Sequence, residues 1–323
     1  MSREIYVNGR YLPHNKAQVH VEDRGYQFAD GIYEVVPVVG GVLVDEDPHL
    51  DRLDRSLKEL QISEAMSRGA LKTVVREIAR RNSVRDGIIY IQITRGVAHR
   101  DHVFPAAAKP AVVVYARRKN IGAIYEKAAK GVAVITTPDL RWKRCDIKTV
   151  SLLPNVLAKQ EAAVSGAYEA WQIDVDGMVT EGTSSNAWIV THRDELITRP
   201  PTDEILNGIT RQTLISLAEQ NGLTHVSRSF TVEEALGARE AFASSATSFV
   251  MPVVSIDGKP VGDGKPGPLC KVLLTHYQEY IEKLKASGST LDASLEPPRA
   301  YRRDKNHEND KSSRTESADA VAA

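Results

Sequence analysis

The sequence lacks most of the features that mark extracellular, membrane or nucleic-acid-binding proteins. It has only two cysteines, Cys145 and Cys270, which are far apart and lack the paired spacing of a metal site or a disulfide framework. Lysine plus arginine equals aspartate plus glutamate at 42 residues each, so no excess of positive charge is available to bind nucleic acid or an anionic membrane. No stretch of about 18 apolar residues is present, and the first residues do not resemble a secretory signal. These absences predict a cytoplasmic protein with free thiols that acts on small molecules.

The residue pattern mixes strands with helices over a length of 323 residues, which is sufficient for two domains. Asn8 and Gly9 lie between short apolar runs and predict a β-hairpin, because both turn positions need positive φ. Four leucines from Leu50 to Leu60 recur at helical spacing. A helix with proline in its first turn is predicted at 154–166. The predicted strands include 33–39, 88–94, 111–115, 132–136, 146–150, 168–174 and 186–191.

A polar connector at 119–122 separates the two predicted domains. A small domain of mixed helices and strands is expected at 1–118, and a larger, strand-rich domain at 123–285. Residues 286–323 contain one aromatic residue and few aliphatic ones. Because so few apolar side chains cannot offset the entropy of ordering the chain, this tail is expected to be disordered.

Lys148 lies in the stretch RCDIKTVSLLPNVLAKQ, between Ile147 and Val150 and ahead of an apolar run. A lysine on a predicted strand is either a surface residue whose stem covers apolar neighbours or a buried amine. Burial disfavours the charged form of an amine, and the neutral form attacks carbonyl groups. The second interpretation therefore predicts an aldehyde cofactor.

An aldehyde cofactor such as pyridoxal phosphate also needs a carboxylate at its pyridine nitrogen and a site for its phosphate. Glu181, at the head of EGTSSN, is a candidate for the first role and is otherwise an ordinary loop carboxylate. Ile209 and Thr210 begin a predicted helix, where free amides and the helix dipole favour an anion. Alternatively, Thr210 or Asn207 only caps that helix. Arg52, beside the leucine stripe, either reaches the phosphate across a cleft or forms a surface ion pair.

A substrate carboxylate also has candidate ligands. The stretch RGVAHRDHVFP places Arg100 and His102 in a loop after a predicted strand, and Tyr33 lies on an earlier strand. Arginine binds a carboxylate through two parallel hydrogen bonds, and tyrosine and histidine add further donors. Arg95 and His99 occur in the same stretch, so the spacing alone leaves the choice open.

Taken together, these stretches resemble the class IV, or fold type IV, pyridoxal-phosphate-dependent aminotransferases, and within them the D-amino-acid group. The similarity extends in order and at family-like spacing over residues 3–282, through EDRGYQFADGIYEVV, HLDRL, TRGVAHRDHVFP, RCDIKTVSLLPNVLAKQEA, VTEGTSSN, ILNGITR and SSATSFVMPV. The resemblance implies an α+β fold with a small N-terminal domain, a larger strand-rich C-terminal domain and the cofactor in the cleft between them. It also implies transamination between a D-amino acid, such as D-alanine, and a 2-oxo acid, such as 2-oxoglutarate.

The same resemblance implies roles for the residues of the cofactor site. Lys148 matches the lysine that binds the cofactor covalently and then moves the substrate α-proton. Glu181 matches the carboxylate at the pyridine nitrogen. Arg52 matches the phosphate-binding arginine, and Ile209 and Thr210 match the start of the phosphate-binding helix.

On the substrate side, Tyr33, Arg100 and His102 match the trio that holds the α-carboxylate in the D-specific members. Arg100 and His102 are expected to come from a neighbouring subunit, which implies a homodimer whose active sites are shared. Branched-chain L-aminotransferases, aminodeoxychorismate lyases and R-selective amine transaminases share Lys148 and Glu181. The trio favours the D-amino-acid group over these alternatives.

One position departs from the family pattern. A hydroxyl residue six places before the proline of the last motif touches the phosphate in the family, and here that position is Ala246. The backbone amide of Ala246, or the hydroxyl of Ser245 or Thr247, is left as the replacement.

Overall fold

The computed structural model describes residues 3–287 and residue 291. Most of the predicted disordered tail therefore lies outside the described residues. Its first residue, Ala286, still belongs to a helix, and Leu291 is buried against the N-terminal core. Within these residues, none of the helices is both long enough and apolar enough to cross a membrane.

The first half of the chain forms a six-stranded sheet in the order β2-β1-β6-β5-β3-β4, whose pairs are all antiparallel. The predicted hairpin is confirmed, with Asn8 and Gly9 both at positive φ between β1 and β2. The strands are Glu4–Val7 (β1), Arg10–Pro13 (β2), Gly31–Val39 (β3), Val42–Leu43 (β4), Gly87–Thr94 (β5) and Ala111–Arg118 (β6).

The second half forms a nine-stranded sheet in the order β12-β11-β10-β13-β14-β7-β8-β9, with β15 paired to β14. Three pairs in this sheet are parallel: β11 with β12, β7 with β14, and β7 with β8. The strands are Val132–Pro138 (β7), Glu169–Ile173 (β8), Val179–Gly182 (β9), Asn186–Val190 (β10), Leu196–Thr198 (β11), His225–Ser227 (β12), Glu240–Ser245 (β13), Phe249–Ile256 (β14) and Lys259–Pro260 (β15).

Helices pack on both sheets, and the longer ones bury apolar side chains against them. In α2 the predicted leucine stripe packs into the core of the first sheet, because residues three and four apart share one face of a helix. The helices are Arg24–Phe28 (α1), Glu46–Glu59 (α2), Arg68–Arg81 (α3), Ile121–Lys130 (α4), Leu153–Val164 (α5), Ile209–Gln220 (α6), Val232–Leu236 (α7) and Pro268–Ala286 (α8).

The strand predicted at 146–150 is wrong. These residues form turns and bends, and only Thr149 makes an isolated bridge, with Ile32 of β3. The carboxylate of Asp146 is bound by Arg55 and Arg144, so polar contacts hold the segment in an irregular path in place of a strand ladder. The apolar residues of the segment suggested a strand because short apolar runs do not distinguish a strand from a buried loop.

The domain boundaries stay a prediction. The first sheet ends with β6 at Arg118, and α4 begins at Ile121. Two of the four residues expected in the connector at 119–122 therefore belong to a helix.

Candidate active site

A cavity of about 190 Å³ opens between the two sheets. Six of the eight predicted site residues line it, although they come from distant parts of the sequence: Tyr33, Arg52, Lys148, Glu181, Ile209 and Thr210. The fold thus assembles one site from both halves of the chain.

Lys148 lies on the irregular segment that passes the first residues of β3. Its backbone carbonyl accepts a hydrogen bond from the amide of Tyr33 at 3.0 Å, and its own amide donates to Ser56 Oγ at 3.4 Å. The Nζ atom lies 4.3 Å from the centroid of the Tyr33 ring. Because its backbone is fixed on both sides, Lys148 presents its amine to the cavity without being part of a strand.

Glu181 lies near the end of β9 and is only 6% exposed. Arg141 forms an ion pair with its carboxylate, Asn186 Nδ2 donates at 3.0 Å, and the Leu206 amide donates to Oε1 at 3.1 Å and Oε2 at 3.2 Å. Burial raises the pKa of Glu181, and Arg141, the Leu206 amide and Lys148 act in the opposite direction. A carboxylate with a raised pKa is a stronger proton acceptor than a solvated one.

Arg52 belongs to α2 and also lines the cavity. Its Nε and Nη2 donate to the two oxygens of Glu34 at 2.7 and 2.9 Å, and its Nη1 donates to the Asn207 carbonyl at 3.0 Å. Glu34 is fully buried and also contacts His49 Nδ1 at 2.9 Å. Burial alone would raise the pKa of Glu34, but Arg52 and His49 lower it below its usual range. The ion pair of Arg52 is therefore internal, which corrects the surface interpretation.

Helix α6 begins beside Arg52. Its N-cap is Gly208, and within the described chain no side chain caps this end. The capping role considered for Thr210 or Asn207 is therefore absent, and the first amides of a helix have no partner inside the helix itself. Gly208, Ile209 and Thr210 line the cavity, so this end has the properties of an anion site.

Another part of the cavity wall contains the position at which the sequence departs from the family. Ser245, Ala246 and Thr247 all line the cavity, and Ser245 Oγ lies 3.3 Å from Thr247 Oγ1. The choice among the amide of Ala246 and the two hydroxyl groups stays open.

Arg100 and His102 do not line the cavity of their own chain. Both are exposed and pack on Phe28, with Arg100 Cζ 4.7 Å and the His102 ring 5.4 Å from the centroid of its ring. Arg24 holds the backbone between them by donating to the Asp101 carbonyl at 2.6 Å. The structure therefore brings these two residues together, but on the surface of the small domain.

Sequence reasoning missed three residues that hold Glu181. Arg141 also forms an ion pair with Asp139 at 2.6 Å, and its side chain is 5% exposed. Asn186 is the last residue of the EGTSSN segment. Because it lies only five residues after Glu181, the sequence could have indicated it as a hydrogen-bond donor to that carboxylate. No local pattern connects Arg141 or Leu206 with a carboxylate that is 40 or 25 residues away.

The sequence matches known proteins over most of its length. The profile of the family described as Amino-transferase class IV matches residues 31–256. D-alanine aminotransferase of Bacillus licheniformis is 43% identical over 278 residues, which cover 86% of this chain and 97% of that enzyme. D-alanine aminotransferase of Staphylococcus haemolyticus is 41% identical over 280 residues, which cover 86% of this chain and 98% of that enzyme.

Solved structures agree on the fold. A branched-chain amino acid aminotransferase from Escherichia coli has a TM-score of 0.80 and 25% identity, over 86% of this chain and 94% of that chain. The branched-chain amino acid aminotransferase from Thermobaculum terrenum has a TM-score of 0.78 and 24% identity, over 87% of this chain and 94% of that chain. The predicted α+β architecture of fold type IV is confirmed, and the chain belongs to the class IV aminotransferases.

Proposed function

We propose that the protein is a pyridoxal-phosphate-dependent transaminase that exchanges the amino group of a D-amino acid, such as D-alanine, with a 2-oxo acid, such as 2-oxoglutarate. The observation that carries this proposal is the convergence of an amine, a buried carboxylate and an uncapped helix start on one cavity. The names of the relatives that share 41–43% identity support the D-amino-acid substrate. The cytoplasm is the proposed compartment, which fits two free thiols.

The residues of the cavity fit the three parts of pyridoxal phosphate. Lys148 would hold the aldehyde carbon, and the buried carboxylate of Glu181 would accept a hydrogen bond from the pyridine nitrogen and so keep that nitrogen protonated. Arg52 and the amides of Ile209 and Thr210 would hold the phosphate. When bound, the cofactor supplies an aldehyde that takes the amino group and a ring that accepts the electron pair released with the α-proton.

The protein contributes the proton transfer and the orientation of the substrate. Lys148 Nζ takes the α-proton, so the face of the substrate that meets this atom decides the stereochemistry. The ring centroid of Tyr33 lies 4.3 Å from Lys148 Nζ, and the Tyr33 hydroxyl would donate a hydrogen bond to the substrate carboxylate. Glu181 stays in place because three donors surround it.

A second copy of the chain would complete the substrate site. Arg100 and His102 lie outside the cavity of their own chain, yet a bidentate cation is what a carboxylate substrate needs. In a two-fold dimer each chain would provide its loop 97–104 to the other, because the same surface patches meet on both sides. We therefore propose a homodimer with shared active sites.

The surface around the cavity supports this dimer. Helix α5 begins five residues after Lys148 and exposes apolar side chains at helical spacing, and the small domain exposes a second group. Apolar patches of this kind mark association surfaces. The exposed residues are Leu153, Val156, Leu157 and Val164 on α5, and Val19, Val21, Tyr26, Val97, Val103 and Phe104 on the small domain.

One assay tests the activity and its stereochemistry. The purified protein is incubated with 2-oxoglutarate and a panel of D- and L-amino acids, and the chirality of the glutamate formed is determined. We expect turnover of D-alanine and formation of D-glutamate. Turnover restricted to branched-chain L-amino acids would replace the proposal with the branched-chain alternative, and release of pyruvate from added aminodeoxychorismate in the absence of an amino acceptor would favour a lyase.

Sedimentation at several concentrations tests the assembly. We expect a dimer for the wild type and a monomer for Leu157→Glu, because a charge in the centre of an apolar interface is costly. The matched control is Glu126→Gln, which changes an exposed residue of α4 and is expected to leave the dimer intact. A wild-type monomer at micromolar concentration would contradict the shared site.

A further inference from the structure

Arg211 is a buried arginine directly behind the anion-binding end of the cavity. It follows Ile209 and Thr210 in the first turn of α6 and is 2% exposed. Within the part of the chain that the structure describes, Arg211 forms no ion pair, and its Nε atom has no hydrogen-bond partner. Since buried charges are normally paired, a guanidinium retained here requires a compensating function.

The contacts of Arg211 tie down both ends of the segment 199–207. Its Nη1 donates to Asn207 Oδ1 at 3.1 Å, and its Nη2 donates to the Arg199 carbonyl at 3.0 Å. Its Cζ lies 5.9 Å from the centroid of the Trp188 ring, a buried side chain of β10. The guanidinium is therefore fixed between the sheet and the segment.

The same segment contacts two of the residues that line the cavity, Glu181 and Arg52. The Leu206 amide donates to both oxygens of Glu181, and the Asn207 carbonyl accepts from Arg52 Nη1 at 3.0 Å. A shift of residues 206–207 would therefore move the buried carboxylate and the arginine of the anion site together. Arg211 holds both ends of this segment against α6, and Gln212 Nε2 adds a longer contact to the Asn207 carbonyl at 3.4 Å.

The positive charge of Arg211 also favours an anion at the start of α6. Burial lowers the pKa of Arg211 to about 10, with Glu181 acting in the opposite direction, so the side chain remains a cation at neutral pH. A cation without a counterion is most stable when an anion binds nearby, and electrostatic attraction is stronger in a water-poor interior than in water.

We propose that Arg211 is a positioning residue of the cofactor site, which clamps the segment 199–207 and adds positive charge behind the phosphate. The inference rests on the proposed cofactor. It predicts that Arg211 acts on binding of the phosphate group and on the placement of Glu181, although it does not line the cavity.

The test compares Arg211→Gln and Arg211→Lys with the wild type as cofactor-free, full-length proteins. Pyridoxal phosphate is titrated by absorbance, and the shift of Tm is measured with inorganic phosphate alone. We expect Arg211→Gln to bind pyridoxal phosphate at least about tenfold more weakly and to lose the phosphate-induced shift. Arg211→Lys keeps the positive charge but cannot donate to Asn207 and the Arg199 carbonyl at the same time, as a guanidinium does. Its loss of affinity for pyridoxal phosphate is therefore expected to be smaller than that of Arg211→Gln.

Arg95→Lys is the matched control. Arg95 is also buried and also holds two backbone carbonyls, those of Leu60 and Gln61. Like Arg211 it does not line the cavity, but it is paired with Asp30 and has no contact with the segment 199–207 among the described residues. We expect it to lower Tm without changing cofactor affinity. If Arg211→Gln lowers Tm but binds pyridoxal phosphate within about twofold of the wild type, the role is only structural and the inference is wrong.

Two further outcomes separate this inference from the proposed function. If Arg211→Gln does not fold, Arg211→Lys decides, and unchanged cofactor affinity in it overturns the inference. If the wild type binds no pyridoxal phosphate, the proposed function fails. In that case the inference about Arg211 is tested only by the change in Tm that inorganic phosphate causes. An equal change in the wild type and in the Arg211 variants would show that the inference is wrong.

Discussion

The proposed cofactor ligands and the loop 97–104 differ in their position relative to the cavity. The cofactor ligands line the cavity of their own chain, whereas Arg100 and His102 of the loop lie outside it. At the cofactor end, Lys148, Glu181 and Arg52 meet inside one chain, and each is fixed by partners from other elements. In the loop, Arg100 and His102 both pack on Phe28 and are exposed. On the proposed assignment, a single chain would bind the cofactor, whereas capture of the substrate carboxylate would need a second chain.

The difference follows from what each group must do. A cofactor that stays bound benefits from buried, preorganised partners, because buried electrostatic contacts are strong when all their members are satisfied. A substrate must enter and leave at every turnover, so its ligands can lie at a surface that is closed only by association. Substitutions at the cofactor end should therefore abolish chemistry or cofactor binding, and substitutions in the loop should change substrate affinity.

The largest effect is expected for Lys148→Ala. The variant lacks the amine that is proposed to take the α-proton, so turnover should fall at least about a thousandfold. Borohydride treatment should no longer attach the cofactor to the protein, as measured by mass spectrometry. Lys143→Ala is the control, since Lys143 is exposed and does not line the cavity. Near wild-type turnover of Lys148→Ala would show that the catalytic lysine has been misassigned.

The next largest effect is expected for Glu181→Lys. A cation in this position repels the protonated ring nitrogen and Arg141, so turnover should fall about a hundredfold or more, by analogy with the loss of a preorganised catalytic group. Stopped-flow spectra with D-alanine measure this loss. Glu219→Lys makes the same charge reversal at an exposed position of α6 and should be neutral. Equal activity of the two variants would remove Glu181 from the site.

Arg100→Ala tests the proposed role of the loop 97–104 in binding the substrate carboxylate. Loss of a charge-assisted bidentate contact should raise KM for D-amino acids roughly ten- to a hundredfold, while cofactor affinity is unchanged. Amines without a carboxylate should be affected much less. If Arg100→Ala slows both classes of substrate equally, the carboxylate site lies elsewhere.

Mixed dimers locate Arg100 relative to the cavity. When Lys148→Ala and Arg100→Ala proteins are unfolded together and refolded in equal amounts, about half of the dimers are mixed. In each mixed dimer the site with an intact Lys148 receives an intact Arg100 only if the loop comes from the partner, so about a quarter of all sites should regain normal KM. No recovery would mean that each loop serves its own chain.

Much of this architecture could be predicted from the sequence. The hairpin at Asn8 and Gly9 and the leucine stripe of α2 follow from local physics, since turn geometry and helical spacing need no distant partner. The failure at 146–150 has the opposite cause. Asp146 is bound by Arg55 from α2, a contact 91 residues away that no local pattern reveals.

The site shows the same limit. Lys148 and Glu181 could be proposed because each belongs to a family-like motif, whereas Arg141 and Arg211 contact partners that only the folded chain brings close. The location of Arg100 outside the cavity could not follow from spacing either. Residues that touch a ligand often lie in recognisable motifs, and the residues that hold them in place usually do not.

The smallest effects are expected for two carboxylates that support the two regions. Glu34 holds Arg52 at the cofactor end, and Asp30 holds Arg24 and Arg95 beneath the loop 97–104. Glu34→Gln and Asp30→Asn each weaken a charge-assisted pair and should lower the free energy of unfolding by about 1 to 3 kcal/mol, measured by urea denaturation at neutral pH. Glu34→Gln should also weaken cofactor binding, and Asp30→Asn should raise KM for D-amino acids.

The pH dependence of these two variants provides the final test of the comparison. Burial alone would raise both pKa values, but basic partners lower them: Arg52 and His49 for Glu34, and Arg95 and Arg24 for Asp30. A carboxylate whose pKa is lowered in the folded state stabilises the protein above its unfolded pKa of about 4 and loses that contribution as the pH falls. The stability difference between each variant and the wild type should therefore shrink as the pH is lowered from about 7 to about 3. A difference that stays constant with pH would mean that packing, and not charge, is what these carboxylates contribute.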